Sequence, residues 1–323
     1  MTYRKTSLIY NPVAGALRNG RTKRALDHCM RALRDTGLPA EAVPTTGPGT
    51  AAEIARSCLE RGADLILVAG GDGTINEVVN GMIGSQVPLG ILPAGTANVL
   101  ATELGIGGRM SKAAGALQEC EPERVAVGRL TNEFEPNGRH FLLMAGIGLD
   151  AHIVYHMSAS RKAALGKAAY WIGGFSQLGR RFPEFTIEVD GASHRASFAL
   201  VSRVRNYGGD LEIAPTISLL EPDFELVLFS GQSSFRYLKY MLGVVTKRIK
   251  RMPGVAILRA RHISCRAPQD QRIYIQVDGE YAGRLPATLE IIPEALTLLV
   301  PPDFRKRRPA VIADPAWTIS HTR

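Results

Sequence analysis

The apolar positions of the first 125 residues alternate between short continuous runs and helically spaced stretches. The continuous runs predict four strands, at residues 6–10, 41–44, 64–69 and 88–92. The helical spacing predicts helices over 22–35 and 50–61, and further helices follow the third and fourth strands. This alternation is typical of a doubly wound α/β domain, a parallel sheet with helices on both faces. Ligands of such sheets bind beyond the carboxyl ends of the strands.

The pattern then changes to short β-type runs separated by turn residues. These runs lie at 125–130, 140–146, 184–190, 195–203, 224–229, 256–266, 272–278 and 288–292. Asn-Gly at 137–138 and Asp-Gly at 190–191 and 278–279 are typical of hairpin turns. Helix-like stretches interrupt the runs at 158–178 and 233–250. We therefore predict an α/β domain over 1–125 and a mostly antiparallel β-sandwich domain over 126–300, with a basic tail, 301–323, that can return to the first domain.

A glycine-rich loop follows the third strand and reads Gly70-Gly71-Asp72-Gly73-Thr74. Glycines let a backbone approach phosphate oxygens closely, and the helix that follows offers free N–H groups to an anion. A carboxylate beside phosphates is repulsive unless a cation lies between them, so Asp72 indicates magnesium, held directly or through water. The alternative is a plain strand-to-helix turn in which Asp72 or Thr74 caps the helix.

Two further loops at predicted strand ends have similar chemistry. Asn11-Pro12-Val13-Ala14-Gly15 follows the first strand, and Pro93-Ala94-Gly95-Thr96-Ala97-Asn98 follows the fourth. Thr96 or Asn98 can bind a phosphate or ribose oxygen, or simply cap the next helix. Because all three loops belong to one edge of the predicted sheet, together they indicate a nucleotide site more strongly than any one of them does.

Composition and charge narrow the class of protein. The chain has 323 residues, 45% of them hydrophobic, and a net charge of +9, which favours anionic partners such as nucleotides or anionic membranes. No apolar run approaches the roughly 18 residues that span a bilayer. The cysteines, Cys29, Cys58, Cys120 and Cys265, lie far apart, which favours a reducing cytosol over a disulfide framework.

The motifs resemble those of the diacylglycerol kinase catalytic domain, and more narrowly its soluble bacterial lipid-kinase branch. The resemblance rests on 11–15, on GGDGTINEVVNG at 70–81 and on LGILPAGTAN at 89–98. In the second half, Arg205-Asn206-Tyr207-Gly208-Gly209 with Ile213-Ala214-Pro215, and Val277-Asp278-Gly279-Glu280, resemble the family's later signatures. GGDGT alone also occurs in NAD kinases. The resemblance to the diacylglycerol kinase family is therefore specific only because all of these motifs occur together.

The resemblance implies a nucleotide-binding domain and a β-sandwich with the active site in the cleft between them. It implies Glu280 as the general base with Asp278 beside it, and Asp72 as the acidic group at the phosphates. The implied ATP contacts are Asn11, Pro12, Val13, Ala14, Gly15, Thr45, Gly70, Gly71, Asp72, Gly73, Thr74, Ile75, Asn76 and Thr96. Without the nucleotide loops, Asp278-Gly279-Glu280 would be interpreted as an ordinary hairpin turn after the strand at 272–278.

The chain departs from the family pattern in three places. Ala14 stands where Ser is common, and Val99 stands where Asp is common. After Ala214-Pro215 the family usually has Asp-Gly and a structural magnesium, whereas this chain has Glu221-Pro222-Asp223. The matching ligands of a second metal ion are Ser218, Glu221 and Asp223, although Pro222 changes the turn.

The stretch 235–251 has six basic residues and no acidic ones. Its apolar residues, Leu238, Met241, Leu242, Val245 and Ile249, recur at helical spacing. This pattern predicts a basic amphipathic helix on anionic lipid, or else a helix that packs on the sandwich with a solvated basic face.

The leading hypothesis is an ATP- and Mg²⁺-dependent kinase that phosphorylates diacylglycerol to phosphatidic acid at the inner face of the membrane. A sphingoid base or another lipid alcohol, a soluble NAD kinase activity, and a nucleotide-binding regulator without catalysis remain open. Nucleic acid is not an expected partner, because no aromatic-rich basic motif accompanies the charge. A homodimer is left open.

Overall fold

The structure, a computed structural model, describes residues 3–17, 22–148, 151, 181–207 and 211–306. The predicted helix over 158–178, Gly208 and Gly209, and the tail beyond 306 lie outside these ranges. Four parallel strands form the first part, in the order β2-β1-β3-β4. They are β1 (Thr6–Tyr10), β2 (Ala40–Pro44), β3 (Leu65–Gly70) and β4 (Leu89–Pro93).

Helices cover both faces of this parallel sheet, because the side chains of successive strand residues point to opposite sides. They are α1 (Thr22–Asp35), α2 (Ala51–Glu60), α3 (Asp72–Met82), α4 (Val99–Leu104) and α5 (Met110–Ala116). Residues of α2, α3 and α4 share one buried cluster with Ile66 and Val68 of β3. Residues of α1 and α5 share another with Leu65 and Leu67. The doubly wound arrangement is therefore confirmed.

A two-stranded ribbon continues this sheet into the second half of the chain. It consists of β5 (Glu121–Asn132) and β18 (Ala287–Val300), which pair antiparallel, while Leu298 of β18 lies parallel beside Leu89 of β4. A bulge between Ile292 and Leu296 divides β18. The resulting ten-stranded sheet ends in β6 (Arg139–Phe141) on β5, and in β15 (His262–Arg266), β8 (Phe185–Val189) and β9 (Ala192–Ala196) beside β18.

A second, antiparallel sheet of six strands packs on the distal half of the first. Its order is β14 (Val255–Ala260), β13 (Phe224–Phe229), β10 (Phe198–Ser202), β7 (Met144–Gly148), β16 (Tyr274–Val277) and β17 (Glu280–Arg284). Phe141 and Phe224 stack between the sheets with ring centroids 5.6 Å apart. The β-sandwich is therefore confirmed.

The remaining described elements lie around this frame. They are β11 (Asn206–Tyr207), β12 (Leu211–Glu212), α6 (Ser234–Val245), α7 (Pro302–Lys306) and three short 3-10 helices. Helix α6 packs on β13 through Tyr240, whose ring lies 5.1 Å from that of Phe229. No helix within the described ranges is long and apolar enough to cross a bilayer.

Three predicted β-runs are each two strands in the structure. The run at 140–146 divides at Leu142 and Leu143, whose N–H groups leave the ladder and donate to Asp278. The run at 195–203 divides at Ser197, and the run at 256–266 divides at Arg261. The boundary predicted at residue 125 stays a prediction, since β5 runs from 121 to 132 without a break.

Candidate active site

The strand order changes direction between β1 and β3, and the loops that follow these two strands lie side by side. The N–H of Asn11 donates to the carbonyl of Ala69 at 3.0 Å, and its side-chain amide donates to the Thr74 hydroxyl at 3.1 Å. The side-chain Oδ1 of Asn11 in turn accepts from the N–H of Val13. This is the crevice in which open α/β sheets bind ligands.

The loop after β4 completes this edge at close backbone distance. A Cβ on Gly95 would lie 2.4 Å from the Cα of Gly71, and one on Gly15 would lie 3.4 Å from the hydroxyl of Thr96. Side chains at Gly71 and Gly95 would therefore force these loops apart. The structure brings the three glycine-containing loops together, as their common sheet edge predicts.

Helix α3 points its N-terminus into this crevice. The helix begins at Asp72, and the N–H groups of a first helical turn have no acceptor within their own helix. Groups of this kind can bind phosphate oxygens. Thr45 lies at the same edge after β2, with its N–H donating to the Tyr10 carbonyl at 2.9 Å. Ala14 and Ile75 are buried in the core, so these two can contact a nucleotide through their backbone only.

The Asp72 carboxylate caps a neighbouring helix. Its two oxygens accept from the N–H groups of Val99 and Leu100, at 3.1 and 3.3 Å, at the start of α4. Burial raises the pKa of Asp72, and these backbone hydrogen bonds lower it in part. The capping alternative is thus present, on α4 rather than on α3.

Glu280 begins β17 and reaches across to the phosphate loop. A Cβ on Gly73 would lie 2.7 Å from Glu280 Oε1, and Glu280 Oε2 accepts from Arg139 Nη2 at 2.7 Å. The glutamate side chain is 44% exposed and is therefore accessible to a ligand. The sandwich therefore delivers one carboxylate to the N-terminus of α3.

Asp278 occupies the turn before Glu280 and is buried. Its carboxylate accepts four hydrogen bonds, from the N–H groups of Leu142, Leu143 and Met144 and from the side-chain amide of Asn76, at 2.8–3.2 Å. Burial raises the pKa of Asp278 to about 6, while these donors lower it. All four of these groups donate, which is what an ionised carboxylate requires of its surroundings. Its predicted place beside Glu280 agrees with the geometry, where it holds the turn in position.

Two asparagines of α3 hold the sandwich domain. The side-chain amides of Asn76 and Asn80 both donate to the backbone carbonyl of His140 in β6, at 3.0 and 2.9 Å. The side-chain Oδ1 of Asn80 accepts from the His140 N–H. Asn76 was predicted as an ATP contact, but its side chain faces Asp278 and His140. Asn80 was not predicted as a functional residue. The available signal was that Asn76 and Asn80, four residues apart, place two amides on one face of the helix.

Glu103 is a second unpredicted contact between the two halves. It is 2% exposed, and its carboxylate accepts from the backbone N–H and Nε of Arg205 and from the amide of Asn206. Burial raises its pKa, against the effect of the Arg205 charge. An acidic residue in the otherwise apolar helix α4 was the available signal, since such a residue is seldom buried without a partner.

The predicted second metal site has both of its carboxylates paired with arginines. Glu221 Oε2 accepts from Arg259 and Asp223 Oδ1 from Arg261, each at 2.6 Å. The Ser218 hydroxyl accepts from the N–H of Leu220 at 3.4 Å. This donor set does not fit a divalent cation, and none of the described residues form another His, Cys, Asp or Glu cluster suited to one.

Comparison with known proteins gives matches over most of the chain. Residues 5–130 match the diacylglycerol kinase catalytic domain, and residues 144–300 match the YegS C-terminal NAD kinase beta sandwich-like domain. The Bacillus subtilis (strain 168) diacylglycerol kinase is 29% identical over 289 residues, which cover 88% of this chain and 92% of that protein. The diacylglycerol kinase of Staphylococcus saprophyticus (strain ATCC 15305) is 27% identical over 308 residues, 94% and 97% of the two chains.

A crystal structure of a diacylglycerol kinase from Bacillus anthracis (strain Sterne) superposes with a TM-score of 0.75 at 23% identity, covering 94% of this chain and 99% of that one. This likeness shows the fold. The two domain matches, with the relatives named diacylglycerol kinase, place the protein among the lipid kinases. The chain carries a diacylglycerol kinase catalytic domain at 5–130, followed by a YegS-type C-terminal domain at 144–300.

The four hydrogen bonds to Asp278 make it a large contributor to stability. Asp278→Asn would turn an NH₂ group towards two N–H donors, and we expect the free energy of unfolding to fall by about 3 kcal/mol. Urea titration of both proteins measures this difference. Asn tolerates the positive φ of this position as well as Asp does, so backbone strain does not contribute.

Asp190→Asn is the matched control, because Asp190-Gly191 makes the same two-residue turn between β8 and β9 with Asp190 exposed. Its unfolding free energy should stay within about 0.5 kcal/mol of the wild type. Equal effects of the two substitutions would contradict the role given to Asp278.

Proposed function

We propose that the protein transfers the γ-phosphate of ATP to the hydroxyl of diacylglycerol, giving phosphatidic acid and ADP, with Mg²⁺ as the metal. The observation that carries this proposal is the contact between Glu280 and Gly73. It brings a carboxylate that can accept a proton to the helix N-terminus that can hold a phosphate. Phosphoryl transfer needs little else from the protein beyond position and charge.

Glu280 acts as the general base in this reaction. Its free oxygen takes the proton of the lipid hydroxyl as the new O–P bond forms and the bond between the γ-phosphorus and ADP breaks. Arg139 holds the other oxygen at 2.7 Å, which fixes the direction of the carboxylate. Asp278 acts as a positioning residue, because its backbone hydrogen bonds orient the turn that carries Glu280.

The loops 11–15, 70–76 and 93–98 are proposed to bind ATP, with Thr45 at their side. Asp72 is the acidic residue of these loops, and it would hold Mg²⁺ directly or through water. When bound, the metal supplies positive charge to the phosphate oxygens. The fit rests on glycines whose Cβ atoms would fill the crevice and on the Asp72 carboxylate at the start of α3.

The proposed lipid surface is the outer face of α6. Three apolar side chains on it, Leu238, Leu242 and Val245, are 44%, 64% and 53% exposed, whereas Tyr237 and Tyr240 of the opposite face are buried. All six basic residues of the stretch 235–251 are exposed. Arg236 and Lys239 lie in α6, and Lys247, Arg248, Lys250 and Arg251 follow it. An apolar stripe among cations suits an anionic membrane, so we propose peripheral binding at the inner face.

Glu280→Gln should lower the rate of phosphate transfer about 10²- to 10⁴-fold, because a carboxamide cannot take the hydroxyl proton. Transfer from labelled ATP is measured on mixed vesicles that contain diacylglycerol, a sphingoid base or no lipid alcohol, and on NAD without vesicles. ATP affinity should be unchanged. If the label appeared in NAD, or only in the sphingoid base, that compound and not diacylglycerol would be the substrate.

Glu290→Gln is the control, because Glu290 forms an ion pair of similar exposure with Arg129 away from the cleft. Its transfer rate should match the wild type. If no lipid accepted phosphate from wild-type protein that binds ATP, the kinase proposal would fail and a nucleotide-binding regulator would replace it.

Asp72→Asn separates the capping role of this residue from its metal role. The free energy of unfolding should fall by about 1 kcal/mol through the weaker cap on α4. The Mg²⁺ concentration for half-maximal rate should rise about tenfold or more. Glu77→Gln is the control, since Glu77 accepts from the N–H groups of Gly49 and Ala51 at the start of α2. A raised Mg²⁺ requirement in both variants would speak against a metal role for Asp72.

Membrane binding through α6 should depend on both its apolar stripe and its charge. We expect Lys239→Glu, and the double variant Leu238→Ser/Leu242→Ser, each to weaken binding to phosphatidylglycerol vesicles about tenfold or more. Co-sedimentation measures this affinity, with phosphatidylcholine vesicles for comparison. Activity on short-chain, water-soluble diacylglycerol should be retained.

Arg56→Glu, which makes the same kind of charge change on the exposed side of α2, serves as the control and should bind as the wild type does. A second copy of this chain is the other occupant that such a stripe could accept. If the leucine variants changed a dimer into a monomer in sedimentation equilibrium and left vesicle binding intact, the lipid assignment would be wrong.

A further inference from the structure

Arg203 lies at the centre of the loop where the family resemblance implies a structural magnesium. It follows β10 directly and is completely buried. Its guanidinium donates to four backbone carbonyl oxygens, those of Leu219 at 2.8 Å, Asp223 at 2.7 Å, Ala126 at 3.0 Å and Glu221. Few side chains other than arginine supply so many donors from one rigid group.

These carbonyls gather as ligands do around a metal ion. Three of them come from alternate residues of one loop, Leu219, Glu221 and Asp223, and converge on a single positive group. Backbone carbonyl oxygens are ligands that hard cations accept, and buried carbonyls require some partner. In this chain the guanidinium is that partner.

The fourth carbonyl ties the loop to the ribbon between the two halves of the chain. Ala126 lies opposite the bulge of β18, since Val125 pairs with Leu296 and Val127 with Ile292. The bulge locally interrupts the ladder at this point. Arg203 Nη2 donates to the Ala126 carbonyl, and so joins the loop to β5.

Electrostatics at the loop disfavour a divalent ion. Burial lowers the pKa of Arg203 to about 10, while Asp223 and Glu221 raise it, so the guanidinium is charged at neutral pH. The carboxylates of Glu221 and Asp223 are already paired with Arg259 and Arg261. An entering Mg²⁺ would meet a positive charge, occupied carbonyls and neutralised carboxylates.

We infer that the Arg203 guanidinium replaces the structural cation of this loop, so that the 216–223 loop folds and stays folded without a divalent metal ion. The inference concerns the sandwich domain only and does not involve the proposed Mg²⁺ at Asp72. Its test uses neither ATP nor lipid, so its failure is distinct from a failure of the proposed kinase activity.

The first measurement is thermal unfolding of the wild-type chain with excess chelator and with millimolar Mg²⁺ or Ca²⁺. We expect the same Tm under all three conditions, within about 1 °C, and no stoichiometric metal in the dialysed protein by elemental analysis. A fall in Tm on chelation that Glu221→Gln no longer shows would place a metal in this loop and overturn the inference. This measurement needs no Arg203 variant to fold.

Arg203→Ala should lower Tm by at least about 5 °C, because four buried carbonyls lose their donor. The cavity it leaves has the ligands of a cation site, so millimolar Ca²⁺ should recover part of the lost Tm in this variant and none in the wild type. Arg203→Lys keeps the positive charge but has fewer donors, so its Tm should lie between those of the wild type and Arg203→Ala.

Arg261→Ala is the matched control, because it removes a cation that pairs with Asp223 on the same loop but whose side chain is 69% exposed. Its Tm should change by less than about 2 °C. An Arg203→Ala variant as stable as this control would also overturn the inference.

Discussion

The buried carboxylate of Asp278 is the interaction on which the two halves of the molecule depend. An ionised carboxylate loses its hydration on burial and is stable there only when donors replace the lost water. The N–H groups of Leu142, Leu143 and Met144 and the amide of Asn76, a residue of the other domain, are those donors. Moving any of these donors away would leave the buried carboxylate without a partner, which costs free energy. The turn that presents Glu280 to the phosphate loop is therefore held in one position.

Helix α3, on the nucleotide side of the cleft, supplies the Asn76 donor to Asp278. Its other polar residues make different contacts according to their position along the helix. Asp72 and Glu77 cap α4 and α2, so the helices around the crevice are oriented from one element. Asn76 and Asn80 hold β6 of the sandwich. The same helix that offers its N-terminus to phosphate therefore also helps to determine where the opposing carboxylate lies.

Much of the fold followed from local pattern, and the site followed only in part. Strand β1 and helix α1 have the predicted bounds, since buried runs and helical spacing are local properties. The sequence could not show that Asn76 faces Asp278, because 202 residues separate them. Nor could it place Arg203, whose partners are backbone carbonyls that carry no residue signature. The acids predicted as metal ligands, Glu221 and Asp223, have the right chemistry but lie beside arginines.

The continuity of β5 and β18 has a mechanical consequence for the cleft. The connections between the domains are two adjacent strands with paired backbones, so the domains cannot separate like bodies on a flexible linker. The chain between them can twist, and the bulge between Ile292 and Leu296 is where the ladder offers least resistance. Any relative movement of the two halves must therefore deform one continuous sheet, and Arg203 joins a sandwich loop to that sheet at Ala126, opposite the bulge.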